Sequence, residues 1–157
     1  MLKSFYQKNT IEAGIDEAGR GCYAGPVFAA AVILPINYKN ERLNDSKKIT
    51  ASLRDELRLE IEKDALSFCV ASVDHTEIDQ INILQATYKA MHRAIEGLKT
   101  TPELLLIDGN RFKKHETIPH ICLIKGDASF LSIAAASILA KTYRDDFMKT
   151  IHDEFPV

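Results

Sequence analysis

Four acidic side chains stand where apolar segments give way to polar ones, and they are the first candidates for chemistry. Asp16 and Glu17 follow the apolar start of the first predicted strand, whereas Asp108 and Asp127 each come at the end of a later one. Strand ends and the loops after them are where functional sites are built. Taken alone, Asp108 is also typical of an Asp-Gly turn, and Asp127 of a cap on the last helix.

A cluster of these carboxylates would need a cation, because like charges at close range repel one another. Oxygen ligands select hard ions, Mg²⁺ or Mn²⁺. No cysteine–histidine spacing suggests zinc, and the histidines are scattered along the chain. Hard ions that keep positions open for phosphate oxygens are typical of phosphoryl-transfer and nuclease sites, so the pattern favours that chemistry.

The segment Gly19-Arg20-Gly21 comes directly after the first acidic pair. Glycines allow a ligand to approach the backbone closely and leave N–H groups facing it, and the Arg20 guanidinium suits a phosphate. The alternative is a tight turn between two strands with Arg20 in solvent. The segment is therefore a candidate substrate-binding loop.

Three further basic residues are candidates for positive charge near the acidic cluster. Lys47 lies in a polar loop, in the run Asp45-Ser46-Lys47-Lys48. Lys141 and Arg144 are three positions apart in the last predicted helix, which places them on one helix face. Ordinary solvent-exposed charges are the alternative for all three.

The composition is that of one globular domain. The chain has 157 residues, of which 46% are hydrophobic and 27% charged, with a net charge of −2. These values predict a single domain over residues 1–157 and exclude a uniformly basic nucleic-acid coat. No apolar stretch reaches the length of a membrane span, and no signal-like segment opens the chain. The three scattered cysteines indicate reduced, buried thiols, so we expect a cytoplasmic protein. We expect no membrane partner. The sequence leaves the oligomeric state open, and a monomer is the simplest expectation.

Apolar periodicity predicts an α/β fold with a mixed sheet flanked by helices. The predicted strands cover residues 11–18, 26–34, 66–73, 104–107 and 118–124. The predicted helices cover residues 50–64, 82–98 and 129–152. Thr50 is the expected N-cap of the first, whose buried stripe is Leu53, Leu57 and Ile61. The second has its expected stripe at Leu84, Tyr88, Met91, Ile95 and Leu98, and the third is rich in alanine, which allows close approach to a sheet.

Four sequence blocks together resemble bacterial ribonuclease HII, a type 2 ribonuclease H. They are GIDEAGRG at 14–21, LNDSKKI at 43–49, LLIDGN at 105–110 and GDASFLSIAAASILAKTYRD at 126–145. The resemblance implies the ribonuclease H-like fold, in which a mixed sheet carries the catalytic carboxylates. It also implies a ribonucleotide-sensing turn at Gly19-Arg20-Gly21 and metal ligands at Asp16, Glu17, Asp108 and Asp127.

The activity implied by the resemblance is endonucleolytic cleavage of the RNA strand of RNA–DNA hybrids, and of duplex DNA at single embedded ribonucleotides. We expect hydrolysis with two bridged ions about 3.5–4 Å apart, leaving 5′-phosphate and 3′-hydroxyl ends. Asp16 and Asp108 would be shared ligands, with Glu17 and Asp127 completing the shells. The backbone of residues 19–21 would probe the 2′-hydroxyl. Phosphate contacts that read no sequence are expected from Lys47, Lys141 and Arg144.

The chain departs from the resembled family at its C-terminal end, since it stops before the family's Gly-Tyr-Gly motif and further helices. The tyrosine of that motif stacks near the ribonucleotide–DNA junction, and no residue here can take its role. We therefore expect either a shortened enzyme or a naturally short member of that family, with weakened junction cleavage and an exposed apolar patch around Phe147, Ile151 and Phe155.

Two alternatives to this enzyme remain open. One is a weakly active or non-catalytic fragment that binds hybrids, against which the complete carboxylate set argues. The other is a related nuclease that acts on DNA. The candidate sensor of the 2′-hydroxyl argues against it, because cleavage of DNA does not need such a sensor.

Overall fold

The computed structural model describes residues 2–19, 25–43 and 48–154. Five strands lie within these ranges: β1 Glu12–Ala18, β2 Val27–Ile33, β3 Ser67–Val73, β4 Leu104–Asp108 and β5 His120–Leu123. The α-helices of the described ranges are α1 Ala51–Asp64, α2 His75–Ile81, α3 Ile83–Glu96 and α4 Leu131–Glu154, and a short 3-10 turn spans Gly126–Ala128. The predictions for Arg20, Gly21 and Lys47 lie outside the described residues.

The strands form one mixed sheet in the order β3-β2-β1-β4-β5, which confirms the predicted fold class. β1 pairs with β2 and β2 with β3 in antiparallel fashion, whereas β1 pairs with β4 and β4 with β5 in parallel. In the β1–β4 register, Ile15 lies opposite Ile107. The residues that follow this pair, Asp16 and Asp108, are therefore neighbours near the carboxyl ends of β1 and β4.

The two faces of the sheet are covered by different helices. α4 and α1 cover one face, where Leu57 and Ile61 pack with the first half of α4. α3 covers the other face, against a cluster that includes Ile15 and Ile107. Strand β2, at the heart of both clusters, has all seven residues buried, as its continuous apolar run predicts.

Helix α4 packs tightly against strand β1 at Gly14. A Cβ on Gly14 would lie 2.2 Å from the carbonyl carbon of Ser132 and 2.5 Å from the backbone nitrogen of Ile133. Every residue of α4 from Leu131 to Ala140 is buried. The small residues at 134–136 let the helix lie against the strand, as the alanine-rich sequence predicts.

The cap predicted for α1 is confirmed. Thr50 is the N-cap, and its Oγ1 accepts a hydrogen bond from Leu53 N at 3.2 Å. Of the predicted stripe, Leu57 and Ile61 are fully buried and Leu53 is partly buried. The amphipathic pattern therefore identified both the start and the orientation of this helix.

The helix predicted over residues 82–98 is confirmed as α3, with Asn82 as its N-cap and Gly97 as its C-cap, whereas the separate helix α2 that precedes it was not predicted. Asn82 has a φ of 71°, which ends α2, and its side chain accepts a hydrogen bond from Gln85 N to cap α3. Asp74 caps α2 in the same way through Glu77 N. Of the stripe predicted for α3, Met91 and Ile95 are buried, and the other three residues are half-buried. The buried face also contains small residues that the stripe omitted: Ala86, Thr87, Ala90 and Ala94.

Other differences are smaller. α4 begins at Leu131 instead of residue 129, because residues 126–128 form the 3-10 turn. Cys69 and Cys122 are free but half-buried instead of buried, and Cys22 lies outside the described residues. Phe147 is 41% exposed and Ile151 half-buried, whereas Phe155 is not described. Within the described ranges, no helix has the length and apolar character needed to cross a membrane.

Candidate active site

Three carboxylates converge at the carboxyl edge of β1 and β4. Ligand oxygens of Asp16, Asp108 and Asp127 all lie within 4.8 Å of one another. Asp16 is on β1, Asp108 is the last residue of β4, and Asp127 is in the 3-10 turn between β5 and α4. Because β1 and β4 are parallel neighbours, their ends meet at this edge, and the turn after β5 brings the third group to them.

Backbone N–H groups hold two of these carboxylates in place. Glu17 N donates to Asp16 Oδ1 at 2.8 Å, and Gly126 N donates to Asp108 Oδ1 at 2.8 Å. A Cβ on Gly126 would lie 2.5 Å from Ile133 Cδ1, so a glycine lets the turn pass between α4 and β4. The cap interpretation of Asp127 is wrong, since α4 starts four residues after it.

The carboxylates of the site repel one another, which disfavours their charged forms. Burial raises the pKa of Asp16 well above its ordinary value, and the charges of Glu17 and Asp108 raise it further. Burial also raises the pKa of Asp108, with a contribution from Asp127. Asp16 is only 5% exposed, so water screens little of this repulsion.

Ser137 is the buried polar neighbour of Asp16 on α4. It is a fully buried residue of α4, and its hydroxyl opposes the rise in the pKa of Asp16. Within the described residues, Ser137 Oγ has no hydrogen bond of ordinary geometry. The hydroxyl is therefore close enough to favour the Asp16 carboxylate without holding it firmly.

The donor set fits a divalent cation. Three carboxylate oxygens within 4.8 Å offer hard ligands and an excess of negative charge that a cation would relieve. In the part of the chain that the structure describes, no other group of three acidic, histidine or cysteine side chains converges in this way. The arrangement indicates a divalent metal site of the kind that acts on phosphate esters.

Glu17, the fourth predicted ligand, lies beside this cluster and is not part of it. Successive side chains of a strand point to opposite faces, so Glu17 faces α3 while Asp16 faces α4. Glu17 lines a cavity of 130 Å³ together with Asp108 and Arg111. Its charge still reaches Asp16, where it contributes to the raised pKa.

Arg144 lies between the two ends of the segment that carries residues 20–24. Its Nε donates to Pro26 O at 3.1 Å. Gly19 has a φ of +95°, and a Cβ there would lie 2.3 Å from Arg144 Nε. A Cβ on Gly25, which also has a φ of +95°, would lie 3.2 Å from Arg144 Nη2. Arg144 is therefore a half-buried brace at the base of the predicted substrate loop, and Lys141, also half-buried, precedes it by three residues on α4.

Sequence reasoning missed three residues that shape the site: Ser137, Gly126 and Arg111. A serine within a buried alanine-rich helix is a signal for the first, because a hydroxyl there needs a polar neighbour. A glycine just before Asp127 is a signal for the second. Arg111, which lines the cavity next to Glu17, has no signal beyond its distance of three residues from Asp108.

Comparisons with known proteins agree with this geometry. The sequence model of the ribonuclease HII family matches residues 13–156. The chain is 62% identical over 156 residues to ribonuclease HII of Cytophaga hutchinsonii, covering 99% of this chain and 77% of that protein. It is 59% identical to ribonuclease HII of Phocaeicola vulgatus, covering 99% of this chain and 78% of that protein.

A solved structure extends the similarity to the fold. The ribonuclease H2 of Pyrococcus horikoshii superposes with a TM-score of 0.78 at 25% identity, covering 92% of this chain and 76% of that one. The mixed sheet with its acidic edge, the match of the family model over nearly the whole chain and the identity to curated relatives lead to one conclusion. The chain belongs to the ribonuclease HII family and is an endoribonuclease of the ribonuclease H type.

Proposed function

We propose that this endonuclease hydrolyses the RNA strand of RNA–DNA hybrids and also cuts duplex DNA at single embedded ribonucleotides, leaving 5′-phosphate and 3′-hydroxyl ends. The observation that carries the proposal is the convergence of Asp16, Asp108 and Asp127 at an edge of the sheet, with their oxygens within 4.8 Å. Such a cluster is costly to maintain in a folded protein and is explained by a metal-dependent reaction on a phosphodiester.

The three aspartates would hold Mg²⁺ or Mn²⁺, with Asp16 and Asp108 as shared ligands of two ions and Glu17 completing the site from the α3 side. When bound, such ions supply Lewis-acid stabilisation of the charge that develops on the phosphodiester. The protein's own contribution is to fix the ligands. The hydrogen bonds from Glu17 N and Gly126 N orient Asp16 and Asp108 before substrate arrives.

Recognition of the ribonucleotide would come from the backbone of Gly19, Arg20 and Gly21, since a 2′-hydroxyl distinguishes RNA from DNA. Lys47 and Lys141 would contact phosphates. We assign Arg144 a positioning role, because its Nε–H already donates a hydrogen bond to Pro26 O at the base of this loop.

The test is a cleavage assay on three duplexes of one sequence: an RNA–DNA hybrid, DNA with one ribonucleotide, and DNA alone. With Mg²⁺ or Mn²⁺ we expect cleavage of the first two and none of the third. Asp16→Asn and Asp108→Asn should each lower kcat by at least about 100-fold, since even partners of metal ligands typically contribute 10–100-fold. Asp79→Asn, an exposed change on α2, is the control and should be neutral.

Each alternative gives a different result in the same assay. Tight binding of the hybrid without cleavage under either ion would indicate a hybrid-binding fragment. Cleavage of the all-DNA duplex at a comparable rate would indicate a nuclease without a ribose sensor. Near-native turnover of Asp108→Asn would show that Asp108 is not a metal ligand.

A further inference from the structure

A groove leads away from the carboxylates along α3. The cavity of 130 Å³ that borders Glu17 and Asp108 ends at Tyr88. Tyr88 also lines a second hollow of 430 Å³, whose walls include His92 and Lys113. Tyr88 lines both hollows, so they are neighbours on α3, and we call the two together the α3 groove.

The α3 groove is lined by two cations without ion pairs in the described ranges, and by the carboxylates of Glu17 and Asp108 at its active-site end. Arg111 lines the part beside the carboxylates and Lys113 the part beyond Tyr88, and both side chains are exposed. Neither forms an ion pair with any carboxylate in the described ranges. Lys89, also on the wall, differs from them because it is bonded to Glu77 at 2.6 Å. The net charge of the chain is −2, so this cationic character is local.

The loop that carries both cations is anchored to α3. Phe112, the residue between them, stacks on His92 with ring centroids 5.1 Å apart and meets the edge of Tyr88 at 6.4 Å. His92 Nε2 is also 2.7 Å from Lys113 O. The backbone positions of Arg111 and Lys113 are thus fixed before a ligand arrives, which reduces the entropy lost on binding.

A second anchor holds the far end of the same loop. His115 is only 9% exposed, and its Nε2 lies 2.6 Å from Glu96 Oε1. Its Nδ1 accepts hydrogen bonds from Thr117 N and Ile118 N, each at 3.2 Å. The loop is therefore held on both sides of its cations.

We propose that the α3 groove binds the phosphodiester backbone of one substrate strand beyond the cleaved bond, through Arg111 and Lys113. The inference rests on the proposed function, since its ligand is the nucleic-acid substrate of that site. The Arg111 guanidinium forks onto phosphate oxygens and the Lys113 ammonium acts as a point charge. Such contacts position a duplex without reading its sequence.

The test compares Arg111→Gln/Lys113→Gln with the natural chain in the salt dependence of KM for a long hybrid. Each phosphate contact contributes about 0.9 to the slope of log affinity against log salt, so the double variant should lower the slope by about 2. KM should rise while kcat stays within about twofold, because the change removes binding made equally before and during the reaction. The matched control is Lys8→Gln/Lys99→Gln, two exposed lysines at the opposite edge of the sheet, which should leave the slope unchanged.

Shortened substrates identify the strand that occupies the groove. In one series the ribonucleotide-containing strand is cut back towards the cleavage site, and in the other its DNA complement is cut back. Once the phosphates that reach the groove are removed, the natural chain should show the KM of the double variant, and the double variant should be insensitive to the change. The series in which this occurs identifies the substrate strand that lies in the α3 groove.

Two results would overturn the proposal: equal slopes for the double variant and its lysine control, or a loss in the double variant that is the same on every shortened substrate. Fluorescence anisotropy on the same duplexes separates this outcome from failure of the proposed function. If the natural chain cleaves neither ribonucleotide substrate, the salt slope of binding still shows whether the groove holds phosphates. Thermal unfolding of both double variants verifies that these exposed changes leave the fold intact.

Discussion

Neighbouring residues of β1 serve different faces of the molecule at the point where chemistry is expected. Gly14 and Asp16 face α4, whereas Ile15 and Glu17 face α3, as strand alternation requires. Asp16 is consequently the buried member of the acidic pair, and Glu17 opens onto the α3 groove. A run of two acidic residues therefore supplies one carboxylate of the cluster and one carboxylate on its flank.

The conformation of Gly19 leads to a prediction at the residue scale. Alanine there would adopt a φ of +95° and place its Cβ 2.3 Å from Arg144 Nε and 2.7 Å from Pro26 O. We expect Gly19→Ala to lower the free energy of unfolding by about 1–3 kcal/mol and to reduce cleavage at a single ribonucleotide more than cleavage of a continuous hybrid. Urea denaturation and kcat/KM on the two substrates measure both effects.

Gly109→Ala is the matched control for Gly19→Ala. Gly109 has a φ of +121°, but a Cβ there meets no atom within 4 Å, so backbone strain acts alone. Equal stability of the two variants would mean that Arg144 moves aside freely and braces nothing.

The acidic residues of the candidate site and their convergence could be predicted from the sequence, whereas the position of Arg144 could not. Carboxylates at the ends of apolar strands are visible as a pattern, and Asp16, Asp108 and Asp127 follow it. The separation of Glu17 from the other three follows from a period of two, which was available from the sequence once β1 was placed. The role of Arg144 could not be predicted from the sequence. It depends on the approach of α4 to Gly19 and Gly25, which are distant from Arg144 in the chain.

At the scale of elements, the contact between β1 and α4 fixes the position of the site. Gly14 lies against the backbone of Ser132 and Ile133, and two residues further on Asp16 lies above Ser137. Helix α4 thus provides the surface against which β1 packs and the hydroxyl of Ser137 beside Asp16. It also provides Arg144 at the base of the predicted substrate loop. A displacement of α4 would disturb all three together.

Gly14→Ala tests this dependence. Its Cβ would come within 2.4 Å of Ser132 O, and the atoms it meets are backbone atoms that cannot rotate away. We expect a loss of about 1–3 kcal/mol in the free energy of unfolding, with a fall in kcat because Asp16 moves with the strand. Ala13→Gly, on the opposite face of β1, is the control and should cost about 0.5–1 kcal/mol with little change in kcat. An unchanged urea midpoint for Gly14→Ala would show that α4 can shift without consequence.

Elements with strong local signals were predictable, and those defined by one unusual residue were not. The continuous apolar run of β2 and the Thr50 cap of α1 are local features, and both are confirmed. Helix α2 was missed, because its seven residues are too few to show an apolar period; it ends at Asn82, which has a φ of 71°. Of the large apolar residues predicted to face the core in α3, Met91 and Ile95 are buried, and the alanines that share this face were missed because the sheet approaches the helix closely.

At the scale of the whole molecule, the acidic cluster couples stability to pH and to metal. The folded-state pKa values of Asp16 and Asp108 are raised by burial and mutual repulsion. The folded state therefore binds more protons than the unfolded state at pH values above the ordinary carboxyl range, and this contribution to stability is lost as pH rises through the raised pKa values. Without metal, stability should fall between about pH 4 and neutrality more steeply than in Asp16→Asn.

Divalent metal should reverse this loss at neutral pH. Ion at 100 times its dissociation constant stabilises the folded state by about 2.7 kcal/mol, which raises the melting temperature by several degrees in a chain of this length. Thermal unfolding with Mg²⁺ or Mn²⁺, against NaCl at equal ionic strength, measures the effect. A shift of the same size in Asp16→Asn would place the stabilising ion elsewhere.

The positions of the three aspartates in the chain make the site a late product of folding. Asp16 is separated from Asp108 by the whole of β2, α1, β3, α2 and α3, and β4 must enter the sheet beside β1 before the two meet. Contacts of such long range form slowly, since the intervening loop must be closed first. A chain in which β4 has not yet joined the sheet lacks Asp108 and Asp127 beside Asp16, and so cannot assemble the metal centre. Cleavage activity therefore depends on completed folding, and a partly folded chain is inert as a nuclease.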